Sequence, residues 1–172
     1  MKSKKQVRLR IHGDNIIECE RALRLIALAY SAEIVSVSKI LHLPIFTLVK
    51  DNKILFSIDL LAGHERWNVS IASELAKHGA PLREATDAYI TKVDEDKNEE
   101  EILLAIEFCS ALPAGNNAWQ RSGRALTCSE IGIPYFYFAE IGGVELEEDR
   151  SVKAPRFPNP IVPFSYLTAS KN

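Results

Sequence analysis

The chain has 172 residues, of which 47% are hydrophobic and 26% charged, a balance that gives a globular domain with a core and excludes a disordered chain. Its 21 basic and 23 acidic side chains leave a formal net charge of −2, so a nucleic-acid partner would require Lys and Arg gathered on one face. No apolar run approaches the roughly 20 residues that span a bilayer, and the basic start Met1–Lys5 lacks a following signal-peptide core.

Gln6–His12 alternates Val, Leu and Ile with polar residues and reads as a short strand or the lead-in to a helix. Gly13-Asp14-Asn15 is a turn with a good N-cap, and Ile16–Ser31 is the helix it starts, with Ile16, Cys19, Leu23, Ile26, Ala27 and Tyr30 as its apolar stripe. Glu33–Leu43 is extended. Pro44–Lys50 and Lys53–Leu61 form two strands joined at Asp51-Asn52, a hairpin turn. Glu65–His78 has helical spacing through Trp67, Ile71, Ala72 and Leu75, and Gly79 ends it. Ala85–Val93 is a strand, Asp94–Glu101 a solvated turn with seven charges in eight residues, and Ile102–Ser110 a strongly apolar strand. After the break at Pro113–Asn116, Asn117–Ser129 is a helix and Ile133–Ile141 a strand, with Tyr135–Phe138 taken as core. Beyond Glu145 the chain is acidic and then rich in proline (Pro155, Pro158, Pro160, Pro163). The expected organisation is an α/β domain over 1–144, a mixed central sheet flanked by helices, followed by an irregular arm or linker over 145–172. The segment Ala154–Phe164 would suit a linker into a recognition domain.

Two carboxylates carry the chemical interest. Asp87 lies early in one strand and Glu107 late in the next, and the charged turn between them makes a hairpin that sets them side by side. Ile102, Leu104, Ile106 and Phe108 share one face of the second strand, and Leu103, Ala105, Glu107 and Cys109 the other. A carboxylate in so apolar a strand is costly unless paired, hydrogen-bonded or bound to a metal. Paired carboxylates are a usual ligand set for Mg²⁺, which can activate water beside a phosphodiester. A strand-end Glu that faces solvent or a neighbouring backbone explains the pattern as well.

The succession of Asp87, Glu107-Phe108-Cys109, a helix and a further strand resembles the core of the PD-(D/E)XK nuclease superfamily, over roughly residues 14–141. Ile106–Arg124 (IEFCSALPAGNNAWQRSGR) is similar to a stretch found in restriction-endonuclease-like proteins. The resemblance implies a restriction-endonuclease-like fold and a Mg²⁺-dependent DNA endonuclease of restriction type, with Mn²⁺ as a substitute ion. It also implies double-stranded DNA as substrate and a homodimer or a partner subunit, since cutting both strands takes two sites. Asp87 and Glu107 would bind the metal, and Glu18 on the first helix would be an extra ligand. Gln120 would join the active site, and Arg121 and Arg124 would contact DNA phosphates. Two departures stand out. Thr86 precedes Asp87 where Pro is common, and Cys109 holds the position of a Lys that orients or activates the attacking water. The alternative is a catalytically silent nuclease-like subunit that binds DNA or a partner.

Plainer readings remain for the helical residues. Glu18 is the third residue of a capping box begun by Asn15, and Arg121 and Arg124 suit an ordinary exposed helix. Cys19, Cys109 and Cys128 are odd in number and widely spaced, which fits a reducing, cytoplasmic compartment and neither a disulfide framework nor a zinc site. Cys109 has no His at a catalytic spacing, and no nucleotide-binding glycine loop is present.

Overall fold

The computed structural model describes residues 6–40, 43–63, 76, 77, 79, 85–109, 115–139 and 160–170. The expected helix Glu65–His78 lies outside them except for Ala76 and Lys77, which are helical. The elements are β1 (Val7–Gly13), α1 (Ile16–Tyr30), β2 (Glu33–Ile40), β3 (Leu43–Lys50), β4 (Lys53–Ala62), β5 (Ala88–Asp94), β6 (Glu99–Cys109), α2 (Gly115–Glu130), β7 (Tyr135–Ala139) and α3 (Ile161–Ala169). They form an α/β fold around one seven-stranded mixed sheet, ordered β2-β3-β4-β1-β5-β6-β7.

The first segment of the chain is the middle of this sheet. Strand β1 pairs in parallel with β4 and antiparallel with β5. Its alternation divides two chemistries: Leu9 and Ile11 point into the core under α1, while Arg8, Arg10 and His12 point to the opposite face. Helix α1 opens on Asn15, whose side-chain oxygen accepts from the N–H of Ile17 and Glu18 at 3.0 and 3.1 Å. It buries Cys19, Ala22, Leu23, Ile26 and Ala27, while Ile16 and Tyr30 of the expected stripe stay exposed. Gly13 permits the tight turn into α1, because a Cβ there would meet the Cys19 Sγ at 2.6 Å. The β3–β4 hairpin turns at Asp51 and Asn52, both in the left-handed region (φ 50° and 59°), where these residue types are tolerated.

The β5–β6 pair is antiparallel, with Ala88 opposite Ile106. A register shift between Ile90 and Thr91 sets Ile90 opposite Leu104 but Thr91 opposite Ile102. Leu104, Ile106 and Phe108 therefore pack on the α1 side, but Ile102 crosses to the side of Tyr89 and Ala105, against simple alternation. Strand β7 runs parallel to β6 after the α2 crossover, and Tyr135 packs with Tyr89, Ala105 and Cys128 in the second core. Phe136 and Phe138 face the other way and are 44% and 46% exposed, so β7 is not the buried strand expected.

Residues 161–169 are a helix and not an irregular arm. Pro163 is its third residue, a position whose N–H needs no partner within the helix, so proline there breaks nothing. The helix packs on α2 and β7 through buried Val162, a Ser122–Ser165 hydroxyl bond and the Tyr166 ring, stacked 5.6 Å from Tyr135. No helix among the described residues is long and apolar enough to cross a membrane.

Candidate functional site

Asp87 stands immediately before β5 and not within a strand. The bend is pinned from both sides. The Thr86 hydroxyl donates to Ala88 O at 3.0 Å, the Thr86 N–H donates to Tyr89 Oη at 3.1 Å, and the Asp14 N–H donates to Asp87 O at 3.0 Å. The hairpin then sets the Asp87 side chain against the end of β6, where its Oδ2 accepts from the Phe108 N–H at 2.8 Å. Glu107, on β6, points to the α2 face and is 0% exposed. The two carboxylates are neighbours across the strand pair.

Helix α2 lowers two cations onto them. Arg121 and Arg124 are three residues apart on one helical face, beside buried Ala125 and Cys128. Arg121 Nε donates to Glu107 Oε1 at 2.9 Å. Arg124 Nη1 donates to Glu107 Oε1 at 3.0 Å and reaches its Oε2 at 3.2 Å. The same nitrogen lies 3.5 Å from Asp87 Oδ1. The arginines, expected to face solvent and DNA, turn inward onto Glu107. Gln120 is exposed, and no hydrogen bond joins it to either carboxylate among the described residues.

Glu18 forms the third corner. Burial, then the charges of Asp87 and Asp14, push its carboxyl up to about 7, against hydrogen bonds from Asn15. Its Oε2 is buried without a hydrogen-bond partner. The capping-box reading thus accounts for one part of Glu18, and the repulsion from Asp87 is additional. Burial is also the main force raising Asp87, opposed by the Phe108 N–H and the two guanidiniums. Glu107 is raised by burial and by Asp87, against Arg124 and Arg121.

Cys109 is buried, at the position where the resemblance expects a cation. Tyr137, opposite Glu107 on β7, has its hydroxyl pKa raised first by burial and next by Cys109. The Cys128 thiol is held up to about 12 by burial and by Glu107, which leaves it no nucleophilic thiolate at neutral pH.

Asp87 raises both Glu18 and Glu107, one Glu18 oxygen is orphaned, and all three acids have raised pKa values. Among the described residues, however, no three His, Cys, Asp or Glu side chains converge closely enough to hold a metal unaided. An ion here would have to be held by one or two carboxylates, waters and a substrate phosphate, as Mg²⁺ commonly is, and Glu107 already gives both oxygens to guanidinium groups.

Sequence reasoning missed a second ionic cluster. Arg8 donates to Asp59 at 3.0 Å and to Glu95 at 2.6 Å; Arg10 pairs with Glu100 and lies 3.5 Å from Asp59. His12 Nε2 is 2.8 Å from Glu100 Oε2, which also accepts from the Thr91 hydroxyl at 2.8 Å. Glu100, expected in a solvated turn, is buried in β6. The available signal was three basic side chains at two-residue spacing on one strand face, which calls for acids opposite. Comparison with protein-family models, with curated proteins and with solved structures returns no match to this chain.

Proposed function

We propose that this chain is a divalent-metal-dependent DNA endonuclease with a restriction-type, PD-(D/E)XK-like site in which arginines from α2 stand in for the missing lysine. The observation that carries the reading is the Arg124 guanidinium, 3.0 Å from Glu107 and 3.5 Å from Asp87. Asp87 and Glu107 are the residues to hold Mg²⁺ or Mn²⁺, with Glu18 as a further acid at its edge. The ion, when bound, supplies activation of water and charge stabilisation at the phosphate. Asp87 is oriented for this by the Phe108 N–H, and Glu107 by the β6 backbone and α2. Arg121 and Arg124 hold positive charge beside the carboxylates and are the phosphate-binding candidates; Gln120, exposed on α2, is assigned to the outer edge of the site. Double-stranded DNA is the substrate and a homodimer the assembly that cuts both strands.

A second reading rests on one specific observation. Glu107 is fully buried with both oxygens engaged by guanidinium, an arrangement that a purely structural ion pair also explains. In that case the chain is a silent nuclease-like module that binds DNA or a partner. Plasmid nicking with Mg²⁺ or Mn²⁺ decides between them. The enzyme reading expects cleavage that EDTA stops and Asp87→Asn removes. A purified protein that never nicks DNA, at any concentration that permits dimers, leaves the silent module.

A further inference from the structure

On the sheet face opposite Glu107, α1 leaves the β6–β7 edge uncovered. The result is a groove of about 430 Å³ between the flank of α1 and the two strands. Arg21, Arg24, Leu25 and Leu28 line one wall, at spacings that put them on one helical stripe. Phe108 and Phe138 line the other, their rings 6.1 Å apart and edge-to-face. The Arg21 guanidinium stands 5.8 Å from the centre of the Phe108 ring. Beyond Phe138, the Phe136 ring follows at 6.3 Å, tilted by 32°. Leu28 is largely exposed and Phe136 and Phe138 nearly half exposed, and no carboxylate is among the described lining residues, in a chain whose net charge is −2.

We infer that this groove binds single-stranded nucleic acid, its bases stacked on Phe136 and Phe138 and its phosphates paired with Arg21 and Arg24. The charge complementarity selects a polyanion. The aromatic rings, exposed at two-residue spacing on one strand face, select one with free π-faces, which a duplex does not offer. A self-association surface would share the apolar rings but would not gain from two guanidiniums that no carboxylate among the described lining residues faces. The groove and the candidate site lie on opposite faces of the sheet and meet only at the end of β6, where the Phe108 N–H holds Asp87. Binding in the groove stands on its own observations; only a path from it to Asp87 would rest on the nuclease reading.

The test separates the two. Fluorescence anisotropy of a labelled oligothymidylate about ten nucleotides long, with the full chain in EDTA, measures binding without cleavage. Wild type binds, more weakly as salt rises, and a blunt duplex of the same length competes poorly. Phe136→Ala, Phe138→Ala and Arg24→Glu each weaken binding by about tenfold, and Phe138→Trp restores it. Arg24 is exposed on α1, so its variant keeps the test valid if a Phe variant fails to fold. No binding by wild type, or wild-type affinity in Arg24→Glu and the folded Phe variants, overturns the inference. A dimer in light scattering that Phe138→Ala dissociates also overturns it, in favour of a second copy on this face. Because EDTA suppresses cleavage, the binding result stands whether or not the chain cuts DNA.

Discussion

Two clusters of charge, each partly buried, lie at the sheet, and their carboxylates are shifted in opposite directions. Around β1, Arg8, Arg10 and His12 meet Asp59, Glu95 and Glu100 in matched numbers, and the hydrogen bonds from His12, Thr91 and Arg10 hold the Glu100 carboxyl below its usual range despite burial. At the end of the β5–β6 hairpin, Asp87, Glu107 and Glu18 are all raised, even with Arg121 and Arg124 present. A structural ion-pair network lowers the energy of its charged forms, whereas raised carboxyl pKa values mean that burial outweighs the guanidiniums. The difference makes the second cluster the candidate for chemistry, since perturbed groups gather at functional sites.

The largest expected effect sets the two apart directly. Glu107→Gln and Asp87→Asn abolish plasmid cleavage, whereas Glu100→Gln, in the matched cluster, still cuts at a temperature where it is folded. Cleavage by Glu107→Gln at the wild-type rate would end the assignment. Next comes stability. Glu100→Ala removes the acid that fully buried His12 and Arg10 share, leaving Arg10 only Asp59 at 3.5 Å among the described residues, and urea denaturation should show a loss of about 3–5 kcal/mol. A loss as small as that from Lys97→Ala, whose exposed pair with Asp94 is screened by solvent, would mean that the β1 network does not frame the sheet.

Arg124→Ala tests how the cation acts. Its charge lowers both Asp87 and Glu107, so its loss raises both further. The acid limb of the pH–rate profile should move to higher pH, and the plateau rate should fall by about a hundredfold or more if the guanidinium also stabilises charge at the phosphate. An unmoved acid limb would show that Arg124 does not sense the reacting carboxylates.

The sequence carried part of this arrangement. The hairpin between Ala88 and Cys109 was legible because a charged turn separated two apolar runs, and it sufficed to set Asp87 beside Glu107. The same composition hid Glu100: in a stretch with seven charges in eight residues, nothing marks the one acid that turns inward, and its partners lie 88 and 90 residues away. The register shift at Ile90–Thr91 has no composition signal either, so simple alternation misplaced Ile102. Arg121 and Arg124 read as surface cations because helical spacing fixes which residues share a face, not which face meets the sheet. Phe136 and Phe138 read as core because apolar alternation cannot tell a covered strand from one that its helix fails to reach.

Glu18 gives the smallest effect and the finest discrimination. Its carboxyl titrates near 7 in the folded chain and near 4.5 when unfolded, so the folded state binds the proton more tightly. The stability this confers is fully present below about pH 4.5 and is lost as the pH rises through about 7. Glu18→Gln resembles the protonated form and does not suffer that loss. The variant and wild type should therefore melt together in acid, and the variant should melt a few degrees higher at about pH 8, the half-exposed position keeping the gap modest. Mg²⁺ then separates the two functional readings. If an ion occupies the site, it stabilises wild type at about pH 8 more than the variant, and the gap closes. If the site only pairs carboxylates with arginines, the gap persists at every Mg²⁺ concentration, and the surplus charge at Glu18 is a cost that no ligand repays.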